Sequence, residues 1–118
     1  MNACVRVAIV PGIIHAVYES EMTMDVVKEG ERKIEALTPS LEKPLVLYDT
    51  LSMRPPSLDL ALEMKAFDGR IQPRIVRSAT VVGDAMTAFA AKVAFALSRD
   101  HRVFYNDRAA AIWLAAAA

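Results

Sequence analysis

The side chains able to do chemistry are few and scattered. An apolar run, Leu45 to Tyr48, leads into Asp49-Thr50-Leu51-Ser52, and Ser57 follows after Arg54-Pro55-Pro56. The two histidines are His15 and His101, and the only cysteine is Cys4. A serine, a histidine and an aspartate are the raw material of acyl transfer. An α/β hydrolase, however, sets its serine in a G-x-S-x-G elbow, and none is present. His101 is remote from Ser52 in sequence, so only the fold can bring them together. Asp49 and Ser52 stand at the C-terminal end of a strand, where open α/β sheets bind ligands. They are candidates for a small polar site, with ordinary loop hydrogen bonds as the competing role. Ser57 opens a helix. A phosphate there is favoured by the helix N-terminus, and plain capping is the commoner use of such a serine. His15 has no cysteine, histidine or carboxylate near it in sequence, so no metal is expected. No dinucleotide fingerprint, Walker loop or C-x-x-C occurs, so no cofactor is expected either. No catalytic constellation is present in the sequence.

The bulk properties narrow the classes further. The chain has 118 residues, 54% hydrophobic and 24% charged, which suits one folded domain spanning 1–118. Zero formal net charge argues against nucleic acid as a partner. The charge is uneven: residues 1–68 hold seven Lys/Arg against eleven Asp/Glu, and residues 69–118 hold seven against three. A basic C-terminal half would suit an anionic membrane surface or an acidic partner, or be a plain molecular dipole. One cysteine allows no internal disulfide. With no signal-like N-terminus and no apolar run near the roughly 20 residues that span a bilayer, a cytoplasmic protein is expected.

The elements that must position these residues are legible from period and punctuation. Val5 to Val10 and Ile13 to Tyr18 flank Pro11-Gly12 and predict a hairpin. Thr23 caps a helix whose apolar residues, Val27, Gly30, Ile34 and Leu37, lie on one stripe, with Gly30 expected where the helix approaches the sheet. Thr38-Pro39-Ser40 ends it. Leu45 to Tyr48 predicts a strand buried on both faces. The helix from Ser57 is expected to run to Asp68 with Leu60, Ala61, Met64 and Phe67 inward and Gly69 at its C-terminal turn. Arg74 to Val82 predicts a strand, Arg102 to Tyr105 the last one, and Asn106 caps a final helix anchored by Ile112, Trp113 and Leu114. The order is β-β-α-β-α-β-α-β-α, an α/β fold with a mixed, mostly parallel sheet and an antiparallel edge strand.

The helix after Gly83-Asp84, Ala85 to Leu97, is apolar on nearly every side, and Lys92 is its only charge. Met86, Phe89, Ala90, Val93 and Leu97 form one stripe at i, i+3, i+4 spacing, which is expected to be the core face. Phe95 falls outside it and is the candidate for an exposed contact with a membrane or a partner. Burial between helices, a homodimer surface and the wall of an apolar pocket remain open. A pocket would be bordered by Phe67, Met86, Phe89 and Val93.

The strand LVLYD, the helix start near Ser57, IVRSATVVGD, RVF and the closing AAAIWL helix with Trp113 together resemble the STAS domains, in particular their SpoIIAA-like branch of small bacterial proteins. The similarity runs from about Ile13 to Leu114. It implies a single STAS-like domain acting as a non-enzymatic binding module for proteins or small ligands. In the anti-sigma antagonists of that superfamily a serine or threonine in an Asp-Ser-Ser-Gly-like motif is phosphorylated, which makes a regulatory protein partner an alternative, switched near Ser57. Here Arg54-Pro55-Pro56-Ser57-Leu58-Asp59 replaces that motif. The SpoIIAA-like branch implies a mobile helix over an apolar cavity, and so a carrier or sensor of a small non-polar ligand with transient membrane contact.

Overall fold

A computed structural model describes residues 4–117. Five strands form one sheet in the order β1-β2-β3-β4-β5: β1 Cys4–Val10, β2 Ile13–Ser20, β3 Leu45–Met53, β4 Arg77–Val82 and β5 His101–Phe104. β1 and β2 are the predicted hairpin. Val10 pairs with Ile13 across Pro11-Gly12, and Gly12 takes φ 78°, the left-handed value that a tight turn asks of glycine. The pairs β2–β3, β3–β4 and β4–β5 are all parallel, so the antiparallel strand sits at the edge as expected.

Four helices fill the connections: α1 Met24–Leu37, α2 Leu58–Ile71, α3 Ala85–Ala94 and α4 Asp107–Ala115. Each begins at a side-chain cap read from the sequence. Thr23, Ser57, Asp84 and Asn106 accept hydrogen bonds from the N–H groups of Val26, Leu60, Thr87 and Ala109. Strand parity sorts the core into two layers. Ile14, Ala16, Tyr18, Val46, Tyr48 and Val82 face α1, α2 and α3, whereas Leu45, Leu47, Ala79 and Val81 face Ala110 and Leu114 of α4. Gly30 lies against the hairpin. A Cβ there would stand 3.0 Å from Val5 Cγ2 and 3.1 Å from the Tyr18 hydroxyl, so the cost of a mid-helix glycine is offset by close helix–sheet packing.

Several boundaries move. α2 continues through Gly69 to Ile71, and Gln72–Arg74 forms a short 3₁₀ turn, so Gly69 is not the terminating residue. β4 starts at Arg77 and not Arg74 because Pro73 initiates that turn. β3 continues through Ser52 to Met53, since parallel pairing with β2 carries it past the apolar run. In α4, Leu114 is fully buried but Ile112 is 65% exposed. Trp113 is half-buried and clamped by Arg77, whose guanidinium lies 4.1 Å from the ring centroid.

The largest correction concerns α3. Its buried residues are Thr87, Ala88, Ala91 and Ala94. Met86, Phe89 and Leu97 are 72%, 70% and 76% exposed, and Val93 is half-buried. The helix is rotated so that its small side chains face inward, which lets it approach α2 closely. It also ends at Ala94. Phe95 leaves helical geometry at φ −108°, ψ 21°, and its ring swings into the core, where it is 8% exposed.

Candidate functional site

A cavity of about 60 Å³ lies between the sheet, the N-terminal half of α2 and the length of α3. The sheet supplies Tyr18, Tyr48, Thr50, Met53 and Thr80; Met22 and Val27 close one side. Leu60, Ala61 and Met64 of α2 and Thr87, Ala91 and Phe95 of the α3 segment close the others. Parity explains the floor, since Tyr48 and Thr50 are two apart in β3 and share a face. The threonine hydroxyls there are occupied by the protein. Thr50 Oγ1 donates to the Val81 carbonyl at 2.6 Å, and Thr87 Oγ1 donates to Asp84 Oδ2 at 3.2 Å. The surface left to a ligand is almost wholly hydrocarbon. At roughly 30 Å³ per water, the space holds about two waters or a few carbons, while an apolar void near 150 Å³ takes benzene.

Beside the cavity stands a stack of rings. The Phe95 and His101 rings lie 3.8 Å apart at 11°, and Phe95 and Tyr48 lie 5.1 Å apart. His101 Nδ1 is 2.7 Å from Ser78 Oγ, and its Nε2 is 3.0 Å from Thr80 Oγ1. Burial lowers its pKa to about 3, so the ring is neutral, with one nitrogen donating and the other accepting. Ser78 and His101 have the atoms of a nucleophile–base couple. Yet Ser78 is 1% exposed, and the second nitrogen meets a threonine where a triad has a carboxylate. The couple serves the core.

A second set of buried polar groups lies under α1 and α2. Glu31 is raised to about 8, first by burial and then by its hydrogen bond to Glu63, with Arg70 3.6 Å away opposing the shift. Asp68 is also raised by burial. Tyr48 is raised by burial and then by Tyr18 and the two carboxyls. The Tyr18 and Tyr48 hydroxyls have no hydrogen-bond partner in the protein.

The sequence-predicted site residues do not assemble into one place. Phe67 is fully buried in the core and does not line the cavity, Met86 and Phe89 point to solvent, and Val93 is half-buried beside them. Phe95, expected at the surface, is a cavity wall. Asp49 is on the α4 side of the sheet, where its Oδ2 lies 3.5 Å from His15 Nε2 and its Oδ1 accepts from Leu51 N–H. Ser52 and Ser57 are exposed, and Ser57 caps α2. A wider hollow of about 340 Å³ at the opposite end of the sheet includes Arg77 and Asp100. Their charges pair with each other at 3.0 Å. Among the described residues no group of three or more His, Cys, Asp or Glu could hold a metal ion, and no helix is long and apolar enough to cross a membrane.

No protein-family model matches the chain, and no curated protein matches it. A solved structure does. An uncharacterized protein from the DUF3478 family of Shewanella loihica PV-4, described as having a SpoIIAA-like fold, superposes with TM-score 0.75 over 97% of this chain and 96% of its own, at 15% identity. The fold is SpoIIAA-like. In this SpoIIAA-like domain the cavity lies at the C-terminal ends of the parallel strands, where open α/β sheets place ligands, and α3 forms one of its walls.

Proposed function

We propose that the protein is a non-enzymatic binding module that takes up a small non-polar molecule between α3 and the sheet. The single observation that carries this reading is the apolar cavity walled by Met22, Met53, Met64 and Phe95. Methionines suit a site that must adapt to its occupant, because their thioethers repack at little cost. α3 is built to move. It is ten residues long and presents alanines to α2, so displacing it exposes little hydrocarbon per residue. Its outer face carries Met86 and Phe89 with Lys92 beside them, a combination that suits transient contact with an anionic bilayer. Cytoplasmic residence accords with that use.

Regulatory protein–protein binding is the second reading. It is favoured by the fold likeness and by Ser57, whose exposed position at the N-terminus of α2 would stabilise a phosphate. Incubation with kinase-active cell extract is expected under that reading to label Ser57 in the wild type and not in Ser57→Ala. Under the ligand reading, native mass spectrometry of freshly purified protein shows an added apolar mass. That mass is lost in Ala91→Leu, which puts three more carbons into the cavity. A bare chain in both proteins would speak against it.

A further inference from the structure

Among the described residues the sheet ends on β1, whose outer edge has no strand partner. Natural edge strands are usually blunted by proline, lysine, a bulge or a covering element. β1, CVRVAIV, has neither residue. Its pairing with β2 is unbroken over seven residues, and Ile9 and Val10 are 40% and 46% exposed. Its one charge, Arg6, is matched within its own sheet by Glu19 at 2.7 Å. We infer that this edge pairs with the same edge of a second copy of the chain, strand β1 antiparallel to β1, extending the five-stranded sheet across a twofold axis at Val7.

The register follows from the hairpin. A two-residue loop makes Val10 and Ile13 a hydrogen-bonded pair. Alternation then turns the backbone N–H and C=O of Ala8 and Arg6 inward to β2, and those of Val5, Val7 and Ile9 outward. Centring the axis on Val7 sets Val7 against itself and Val5 against Ile9, so all three outward residues exchange hydrogen bonds. Arg6 faces Ala8 and not another arginine.

The helices accept the same geometry. α1 sits over the seam between β1 and β2, since Gly30 touches both Val5 and Tyr18. Symmetric pairing therefore places the two α1 axes about 10 Å apart, an ordinary helix-packing distance. Arg70 and Arg74 reach Glu31 and Glu35 on the α2 side of α1. At 100° per residue the opposite flank carries Val26, Glu29 and Lys33. Glu29 and Lys33 already pair at 3.8 Å. An antiparallel copy then meets a flank of both signs and not a like-charged wall. This inference does not depend on the ligand reading.

Sedimentation of the full chain is expected to show a monomer–dimer equilibrium with a dissociation constant on the order of micromolar. Val7→Pro removes an outward N–H and leaves the β2 ladder intact, and should weaken the dimer at least about tenfold. The register brings exposed Cys4 opposite Val10 of the other copy in a non-hydrogen-bonded pair about 4.5 Å between Cα atoms. Val10→Cys should therefore give a covalent dimer on mild oxidation, with peptide mapping placing the bond between Cys4 and the introduced cysteine. A monomer at all concentrations up to about 100 µM overturns the proposal. So does a dimer indifferent to Val7→Pro, or a monomer whose edge accepts only an added strand peptide.

Discussion

Phe95→Ala is expected to destabilise the protein by about 3–5 kcal/mol, and Phe89→Ala by less than about 0.5 kcal/mol. The two phenylalanines belong to the same apolar stretch and differ in where the backbone puts them. Phe89 is 70% exposed on the outer face of α3. Phe95 is 8% exposed, stacks on His101 at 3.8 Å and contacts Tyr48 at 5.1 Å. Removing its ring deletes a cavity wall, leaves the histidine without its stacking partner and joins the lost volume to a void already present. In thermal melts the first variant should lose upwards of about 10 °C and the second almost nothing. Equal losses would mean that α3 faces the core with its large side chains after all.

The second large effect is on pH. His101 has its pKa lowered by burial to about 3 in the folded protein against an ordinary value of 6.5. The unfolded chain therefore binds a proton that the folded one refuses. This contribution is present above the unfolded value and is lost as pH falls from 6.5 toward 3. Glu31 works from the other side. Its pKa is raised from 4.5 to about 8, so the folded protein holds a proton that the unfolded chain releases. That contribution is complete below 4.5 and is lost as pH rises through about 8. Asp68 is also raised, by burial, and its contribution is likewise lost as pH rises. Between 4.5 and 6.5 the slopes from His101 and Glu31 oppose each other. Denaturant unfolding across pH should thus show stability flat in that interval and falling on both sides. Glu31→Gln should remove most of the alkaline fall and leave the acid fall. Phe95→Ala should weaken the acid fall, because it opens His101 to water. An alkaline limb unchanged by Glu31→Gln would contradict the assignment.

These two predictions also mark where the sequence is readable. Caps and turns act locally, and Thr23, Ser57, Asp84 and Asn106 start the helices that they were expected to start. The element order and the edge position of the antiparallel strand follow from local pattern and connection rules. What failed was the choice of face in a helix with two apolar sides. Size favoured Met86 and Phe89, but close packing on α2 selects alanine. Lys92 carried the missing signal. Phe89 lies 60° from it around the helix, whereas Ala91 and Ala94 lie 100° and 160° to the other side at 100° per residue. Phe95 was misplaced for another reason, since its direction was reckoned on a helix that stops at Ala94. The cavity joins Met22, Met53, Met64, Thr50, Thr80 and Thr87 from five segments. No local period connects them, and only strand parity within β3 hinted at its floor. The pairing of His101 with Ser78 and Thr80 likewise needs the parallel register of β4 and β5.

The central claim is that the space beneath α3 receives an apolar molecule. Methyl-labelled methionine gives reporters inside and outside it. Met22, Met53 and Met64 line the cavity, whereas Met24 and Met86 are exposed and outside it. In a titration with 1-hexanol followed by methyl NMR, α3 should yield outward to make room for the chain, and the three inner signals should shift together and saturate. Met24 should stay still, and Ala91→Leu should abolish the response. Inner signals that do not move, or shifts confined to Met86 and equal in Ala91→Leu, would contradict the account.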